Sequence, residues 1–292
     1  MRNTLQNFAK LLLITIATLF IFFSSPISKS SPISDVDKVA KYDVFGRLTY
    51  YPNKKQIDCP PQTKNTGVLL IIGQSNSANH AHKIFTTQHP GHVINYFNGH
   101  CFVASSPLLG ATGPNGEYIT PLADNLIANG TFKDVVIVAS GISGSPISRW
   151  KLGGDLNGML RATLIEARSK YEVTDIVWHQ GENDFRDGTS AKDYAASFQS
   201  LLSSLTSMNV AAPTFMSIAS KCLGVDWREN NPTAIGQKML IDNKRIFLGV
   251  DTDSLLVSKD RHDGCHFSED GQKKTADALA VSIKQKRGHY QR

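Results

Sequence analysis

The 292-residue sequence lacks internal repeats, low-complexity tracts and any internal block of basic residues. Its composition, 41% hydrophobic and 19% charged, excludes disordered, collagen-like and coiled-coil proteins. The net charge of +6 is a small excess of 31 Lys and Arg over 25 Asp and Glu, diluted along the chain. Because nucleic-acid binding normally needs clustered positive charge, no nucleic-acid partner is expected.

The N-terminal apolar run falls short of the roughly 20 residues that a membrane-spanning helix needs. It covers Leu11 to Phe23 without charge or glycine and follows Arg2 and Lys10. This pattern is typical of a signal peptide, although continuation through Ile27 leaves an uncleaved anchor open. We therefore expect residues 1–30 to be a signal peptide or N-terminal anchor. The protein is expected to be exported (periplasmic, extracellular or anchored on the outer side), with membrane association through this segment only.

Cysteine is sparse, and the C-x-x-C pairs of structural zinc sites are missing. The four cysteines are Cys59, Cys101, Cys222 and Cys265. In an oxidising compartment an even number of cysteines is expected to form disulfides, and the sequence leaves all three connectivities open.

Short apolar runs that alternate with amphipathic segments indicate an α/β fold. Residues 31–61 are expected to be a linker and irregular lead-in, followed by one domain over residues 62–292. Strands are predicted at 67–72, 134–139, 175–178 and 214–218, and helices at 118–128, 156–169, 191–208, 231–243 and 268–284. The alternation predicts a central parallel sheet covered by helices on both faces, with a ligand crevice beyond the carboxyl ends of the strands.

The first predicted strand runs directly into Gly73-Gln74-Ser75-Asn76-Ser77. A serine at such a strand-to-helix turn is placed like a nucleophile, because unpaired N–H groups there favour developing negative charge. Alternatively, Ser75 or Ser77 only caps the helix. The G-x-S-x-G elbow of α/β-hydrolases is missing, since Ser77 stands in place of the second glycine.

Two further polar segments follow predicted strands. In the loop of residues 140–150, Gly141 or Gly144 could present an N–H to a substrate oxygen, or the loop is only a flexible connection. In residues 179–184, Asn183 could donate to an oxyanion. Glu182 and Asp184 could brace this loop or act as a glycosidase pair, but a spacing of two would point them apart in an extended chain.

The fourth segment, residues 263–266, precedes the last predicted helix and supplies an acid and a base. A carboxylate of Asp263 bound to one imidazole nitrogen of His266 would leave the other nitrogen to take a proton from a serine. A surface turn is one alternative. Zinc binding through His262, Cys265 and His266 is another, weakened by the missing fourth ligand.

Together the four segments resemble the SGNH hydrolases, and within them the sialate O-acetylesterase-like carbohydrate acetylesterases. The motifs are GQSN at 73–76, GSPI at 144–147, QGEND at 180–184, and Asp263 with His266. The resemblance covers roughly residues 67–284. It implies a three-layer α/β/α sandwich with a central parallel sheet, the flavodoxin-like SGNH fold, and neither cofactor nor metal.

The resemblance also implies roles for individual residues. Ser75 is expected to be the nucleophile, His266 the base and Asp263 the residue that orients it. The implied oxyanion donors are Ser75, Gly144 and Asn183, and the implied supporting or substrate-binding residues are Gln74, Gln180 and Glu182. Relatives often have two adjacent glycines where this chain has Ser143 and Gly144, so Gly141 remains open as a donor. Cys265 inside the Asp263–His266 loop is a second departure from these relatives. Our hypothesis is a disulfide from Cys265 to Cys222 that would restrain the catalytic loop, and the alternative is a buried free thiol.

The expected activity is therefore that of a serine esterase that removes O-acetyl groups from a sugar or polysaccharide. Two alternatives use the same scaffold: an O-acyltransferase with the same acyl-enzyme, and a non-catalytic glycan-binding protein of the cell envelope. The sequence leaves the acetylated sugar undetermined.

Overall fold

The computed structural model describes residues 39–222 and 227–290. The signal peptide or anchor expected at residues 1–30 lies outside them. Within the described part, no helix combines the length and the apolar character that crossing a membrane requires.

The described residues form ten strands and seven α-helices. The strands are β1 Lys41–Tyr42, β2 Leu48–Tyr50, β3 Gln56–Ile57, β4 Thr66–Gly73, β5 Val93–Phe97, β6 His100–Val103, β7 Asp134–Ala139, β8 Asp175–His179, β9 Thr214–Ile218 and β10 Ile246–Asp251. The helices are α1 Ile119–Ala128, α2 Asp155–Ala167, α3 Glu182–Arg186, α4 Ala191–Ser207, α5 Pro232–Leu240, α6 Thr252–Leu255 and α7 Glu269–Tyr290. All four predicted strands and all five predicted helices are confirmed, with shifted ends.

Eight strands form one sheet in the order β10-β9-β8-β4-β7-β5-β6-β3. The six strands from β10 to β5 are mutually parallel, which confirms the predicted parallel centre. The last two strands are antiparallel, so the whole sheet is mixed. The reversal follows from a tight hairpin between β5 and β6, where Asn98 and Gly99 adopt φ of 48° and 80°. An Asn-Gly pair favours such a turn because both residues tolerate positive φ.

Helices cover both faces of the sheet, which gives three layers. Along β4, Val68, Leu70 and Ile72 face a core shared with α2 and α4. Leu69 and Ile71 point the opposite way, into a core shared with α1 and α7. Every residue of β4 is buried, as a continuous apolar run predicts for a central parallel strand. The three-layer α/β/α expectation is therefore confirmed.

The segment expected to be a linker and lead-in contributes to the main sheet. β3 pairs with β6, in the register Gln56↔Phe102 and Ile57↔Cys101. A disulfide between Cys59 and Cys101 follows directly after this strand. Because β3 is two residues long and lies at the sheet edge, its sequence carries no apolar run that would reveal it.

Candidate active site

The chain leaves β4 in a sharp turn that needs glycine at position 73. Gly73 has φ of +134°, and a Cβ atom there would lie 2.1 Å from the carbonyl oxygen of His179. The next residue, Gln74, donates its backbone N–H to that same oxygen at 3.0 Å. The close approach joins the end of β4 to the end of β8. It thereby brings the first and third predicted site segments together.

Ser75 and Ser77 lie in one turn of 3₁₀-helix, and neither side chain caps it. The Ser77 hydroxyl donates to the carbonyl of Gln74 at 2.7 Å and is committed to the turn. In contrast, the Ser75 hydroxyl has no hydrogen-bond partner within the described residues. Ser77 therefore stabilises the turn, and the Ser75 hydroxyl has no such role among the described residues.

Asp263 and His266 form the predicted pair. His266 Nδ1 lies 2.6 Å from Asp263 Oδ2. The other carboxylate oxygen, Oδ1, accepts the backbone N–H groups of Cys265 and His266 at 2.9 and 2.7 Å. Although partial burial by itself raises the pKa of Asp263, the hydrogen bonds from His266 and Cys265 lower that pKa to about 2. The carboxylate is therefore charged over the whole pH range in which an imidazole can act as a base.

Ser75 and His266 line one pocket of 180 Å³, beyond the carboxyl ends of the parallel strands. Its walls are formed by Gln74, Ser75, Ser143, Gly144, Glu182, Asn183, Arg186, Cys222, Cys265 and His266. All four predicted segments contribute to this list, so the fold brings together residues that lie almost 200 positions apart. The Ser75 hydroxyl and the His266 ring form no direct hydrogen bond here, and such bonds often tighten only when substrate binds.

Backbone N–H groups are available inside this pocket. Among the described residues, the N–H groups of Ser75 and Gly144 donate to no protein acceptor. Gly141 plays a different part, because a Cβ there would lie 2.4 Å from the backbone oxygen of Ser77. Gly144 has φ of +65° and open space around it. Of the two candidate glycines, Gly144 lines the pocket and Gly141 packs against the serine turn.

The Asn183 side chain reaches the pocket wall but is partly committed. Its amide nitrogen donates to Asp187 Oδ2 at 2.6 Å, and its oxygen accepts from Arg186. Since an amide nitrogen carries two N–H groups, one remains for a ligand.

Buried side-chain amides join the loops of the site by hydrogen bonds. Gln74 Oε1 accepts three hydrogen bonds, from Gln180 Nε2 at 3.2 Å, from the Gly181 N–H at 3.3 Å and from the Asn183 N–H at 3.1 Å. Gln180 Nε2 also donates to the carbonyl of Ser145 at 3.1 Å. These contacts tie the serine turn, the Gly144 loop and the Asn183 loop to one another. Gln74 and Gln180 are both buried, as expected for residues that support the site.

Glu182 and Asp184 each accept hydrogen bonds from a neighbouring loop. They lie in helix α3, so the extended conformation considered from the sequence is wrong for this segment. Glu182 accepts from Asn76 Nδ2 at 2.8 Å, and its complete burial raises the pKa of its carboxyl. Asp184 accepts the backbone N–H of Ile147 at 2.8 Å and a hydrogen bond from Gln180. Both acids are buried and join loops, and Glu182 Oε2 has no hydrogen-bond partner among the described residues.

The two cysteines beside the pocket form a disulfide, Cys222–Cys265. The pairing hypothesised for Cys265 is thereby confirmed, and the second disulfide is Cys59–Cys101. The zinc site considered through His262, Cys265 and His266 is wrong, because the Cys265 sulfur is bonded to Cys222. Arg261 Nη1 donates a hydrogen bond to the carbonyl oxygen of Cys265 at 2.6 Å.

Removing the Cys222–Cys265 disulfide is expected to lower both stability and turnover. Cys222→Ser with Cys265→Ser opens a loop of sequence separation 43, and Cys59→Ser with Cys101→Ser opens one of 42. Chain entropy predicts a loss of about 4 kcal/mol in the free energy of unfolding for either pair. Only the first pair borders the pocket, so kcat is expected to fall there, by up to about 100-fold.

The matched pair of variants separates the two effects. Unfolding by denaturant gives the stabilities, and kcat is measured where both variants are folded. Equal kcat values in the two variants would show that the disulfide beside the pocket does not position the catalytic loop.

Sequence reasoning missed Arg261 and the contact of His80 with His266. The His80 ring stacks on the His266 ring, with centroids 5.5 Å apart and planes at 26°. Burial, followed by the nearby His266, lowers the pKa of His80 to about 4, so this ring is neutral near pH 7. Arg261 directly precedes the His262-Asp263 segment, and its basic side chain so close to the acid and base was the available signal. His80 is separated from His266 by most of the chain, and no local pattern marks it.

Comparison with known proteins identifies the family of this chain. The family model of carbohydrate esterases described as sialic acid-specific acetylesterases matches residues 65–285. No curated protein matches the chain in sequence.

The solved structures with a fold similar to that of this chain include those of three proteins. A protein from Arabidopsis thaliana has a TM-score of 0.58 at 17% identity and covers 77% of this chain and 99% of its own. The crystal structure of NanS has a TM-score of 0.53 at 15% identity, with 78% and 98% covered. A carbohydrate acetylesterase from Xanthomonas citri has a TM-score of 0.50 at 17% identity, with 75% and 56% covered. At these identities the similarity shows the fold.

Proposed function

Because the chain belongs to the carbohydrate esterase family of sialic acid-specific acetylesterases, and is therefore a carboxylic ester hydrolase, we propose that it removes O-acetyl groups from a sugar or polysaccharide through an acyl-enzyme on Ser75. The observation that carries this proposal is the pocket itself. The same 180 Å³ is lined by an imidazole bonded to a carboxylate, and by a serine hydroxyl and two backbone N–H groups that have no partner among the described residues.

In the proposed acylation step, Ser75 Oγ attacks the carbonyl carbon of the acetyl ester and its proton passes to His266 Nε2. Asp263 keeps the ring proton on Nδ1, so Nε2 is free to accept. The negative charge that develops on the carbonyl oxygen is stabilised by the N–H groups of Ser75 and Gly144 and by the Asn183 amide. His266 then gives its proton to the departing sugar oxygen, which leaves as an alcohol.

In the proposed deacylation step, water replaces the sugar. His266 takes a proton from this water as it attacks the acetyl carbon on Ser75, and returns the proton to Ser75 Oγ as acetate leaves. The same residues therefore serve both half-reactions, and the ring must regain its neutral Nδ1–H form between them.

The size of the pocket supports a short acyl group. Its 180 Å³ is smaller than the roughly 300–1,000 Å³ that a pocket enclosing a drug-sized ligand occupies. An acetyl group fits inside this volume, whereas the sugar that carries it would lie at the rim. Arg186 is at that rim, with an exposed side chain that remains accessible to a substrate.

Incubation with a panel of acetylated glycans tests the proposal. We expect acetate to be released in plain buffer, faster from acetyl esters than from butyryl esters of the same alcohol, because the pocket is small. Free acetate and the deacetylated sugar are quantified together. A strict requirement for an added acceptor sugar would favour acyl transfer, and binding of glycans without any acetate release would favour a non-catalytic binding protein.

We also propose export of the mature protein. Two disulfides within the described residues are consistent with an oxidising compartment, where such bonds persist.

A further inference from the structure

Four of the nine histidines form a chain of neighbouring rings that includes His266, which lines the pocket. This histidine patch consists of His80, His82, His262 and His266. The ring centroid of His262 is 6.1 Å from that of His266 and 5.5 Å from that of His82. The proposed mechanism uses only His266 directly, so the density of imidazoles around it needs a separate explanation.

Three side chains of this region present metal-ligand atoms toward one another. One nitrogen of His262, one nitrogen of His266 and a carboxylate oxygen of Asp263 all lie within 4.8 Å of one another. Asp263 Oδ2 is 2.6 Å from His266 Nδ1 and 3.9 Å from His262 Nε2. Ligands at about 2.1 Å in tetrahedral geometry are roughly 3.4 Å apart, so only small side-chain shifts are needed to enclose an ion.

The chemistry of these donors favours zinc and similar ions. Two imidazoles and one carboxylate form the kind of three-ligand set that binds Zn²⁺ with one position left open. The side chains of His262 and Asp263 are 32% and 43% exposed, so an ion can enter from solvent and water can fill the open position.

We propose that His262, Asp263 and His266 bind a divalent transition-metal ion such as Zn²⁺, and that this ion inhibits the enzyme. The binding stands on the geometry of these three side chains alone. The inhibition rests on the proposed function, because it requires His266 to be the base.

Inhibition follows from where the ring proton sits. In the active form the proton is on His266 Nδ1, facing Asp263, and the lone pair is on Nε2. A metal ion bound at Nδ1 uses the lone pair of that nitrogen, so the proton of the neutral ring moves to Nε2. With a proton already on Nε2, His266 cannot accept another from Ser75. Asp263 is meanwhile a metal ligand and no longer orients the ring.

His262 allows the site to be tested without touching the catalytic residues. Its backbone N–H donates to the carbonyl of His266 at 2.9 Å, and substitution of the side chain leaves this bond in place. A matched control exists at His92, whose Nδ1 lies 2.7 Å from Asp134 Oδ1. The control is also an exposed histidine beside a carboxylate, but no third ligand group accompanies it in the described residues.

The experiment titrates ZnCl₂ into the full-length protein, its His262→Asn variant and its His92→Asn variant. Isothermal titration calorimetry measures binding, and acetate release measures activity. We expect one zinc site per chain in wild type, reversible inhibition that EDTA relieves, and unchanged activity of His262→Asn without metal. Because loss of even an outer-shell partner weakens metal sites by about 10–100-fold, His262→Asn should weaken both binding and inhibition at least 10-fold.

The outcomes separate this proposal from the proposed function. Equal zinc affinity in wild type and His262→Asn, or a loss of affinity in His92→Asn instead, would overturn the metal site. Zinc binding that depends on His262 in a protein without esterase activity would support the site and contradict the function. Binding that depends on His262 but leaves acetate release unchanged would overturn the inhibition.

Discussion

Replacing Ser75 with alanine is expected to lower kcat for acetate release by at least about 10⁴-fold, because Ser75 is the proposed nucleophile on which the acyl-enzyme forms. The Ser75 hydroxyl makes no hydrogen bond within the described residues, so its removal leaves no partner unsatisfied. The variant should therefore fold and bind acetylated sugar with unchanged affinity. Acetate release under single-turnover conditions, together with the denaturation midpoint, measures both effects.

Ser77→Ala is the matched control for this variant. Ser77 lies in the same turn and is equally buried, but its hydroxyl donates to the carbonyl of Gln74. Its loss is expected to cost about 1 kcal/mol of stability and to leave the folded enzyme active. A large loss of kcat in Ser77→Ala, with kcat retained in Ser75→Ala, would show that Ser77 and not Ser75 is the nucleophile.

Asp263→Asn is expected to lower kcat by about 10⁴-fold while preserving the loop. An asparagine oxygen can still accept the backbone N–H groups of Cys265 and His266, so the turn is retained. The side-chain NH₂ then faces His266 Nδ1 and can only donate, which places the ring proton on Nε2 and removes the base. Measurement of kcat across the pH range, with the thermal midpoint alongside, checks both parts.

The pH profile adds a second criterion. The folded-state pKa of Asp263 is lowered to about 2, below its ordinary value of 3.8. Its stabilising contribution is therefore complete above about pH 4 and is lost as the pH falls toward 2. Any fall in wild-type activity between pH 7 and 5 must arise from another group.

Asp134→Asn is the control for Asp263→Asn, because it alters the exposed pair of His92 and Asp134. It should retain full activity, and a loss comparable to that of Asp263→Asn would contradict the assignment.

Local patterns predicted the centre of the fold well and its edges poorly. Strands buried on both faces, such as β4, have continuous apolar runs that can be recognised in the sequence. β3 is too short to show any pattern. The hairpin of β5 and β6 could have been found, because Asn98-Gly99 between apolar residues is a strong turn signal. β10 also has an apolar sequence, IFLGVD, that matches the type of the predicted strands.

The site was predictable where each loop carries its own signal. Ser75, Asn183, Asp263 and His266 follow or precede regular elements in recognisable order. Contacts between different loops have no local pattern in the sequence that would predict them. The choice between Gly144 and Gly141 depended on which backbone packs against Ser77, and the stacking of His80 on His266 depends on the tertiary fold.

The residues of this site lie far apart in the sequence, so the ribosome synthesises them at different times. Asn76 donates to the carbonyl of Cys265 across 189 positions, so the turn with the proposed nucleophile emerges long before the loop with the proposed base. A nascent chain that has already paired β4 with β7 and β8 still has no base. A chain that ended ahead of residue 260 would keep the Ser75 turn but lack Asp263, His266 and Cys265, the disulfide partner of Cys222, and is therefore expected to release no acetate.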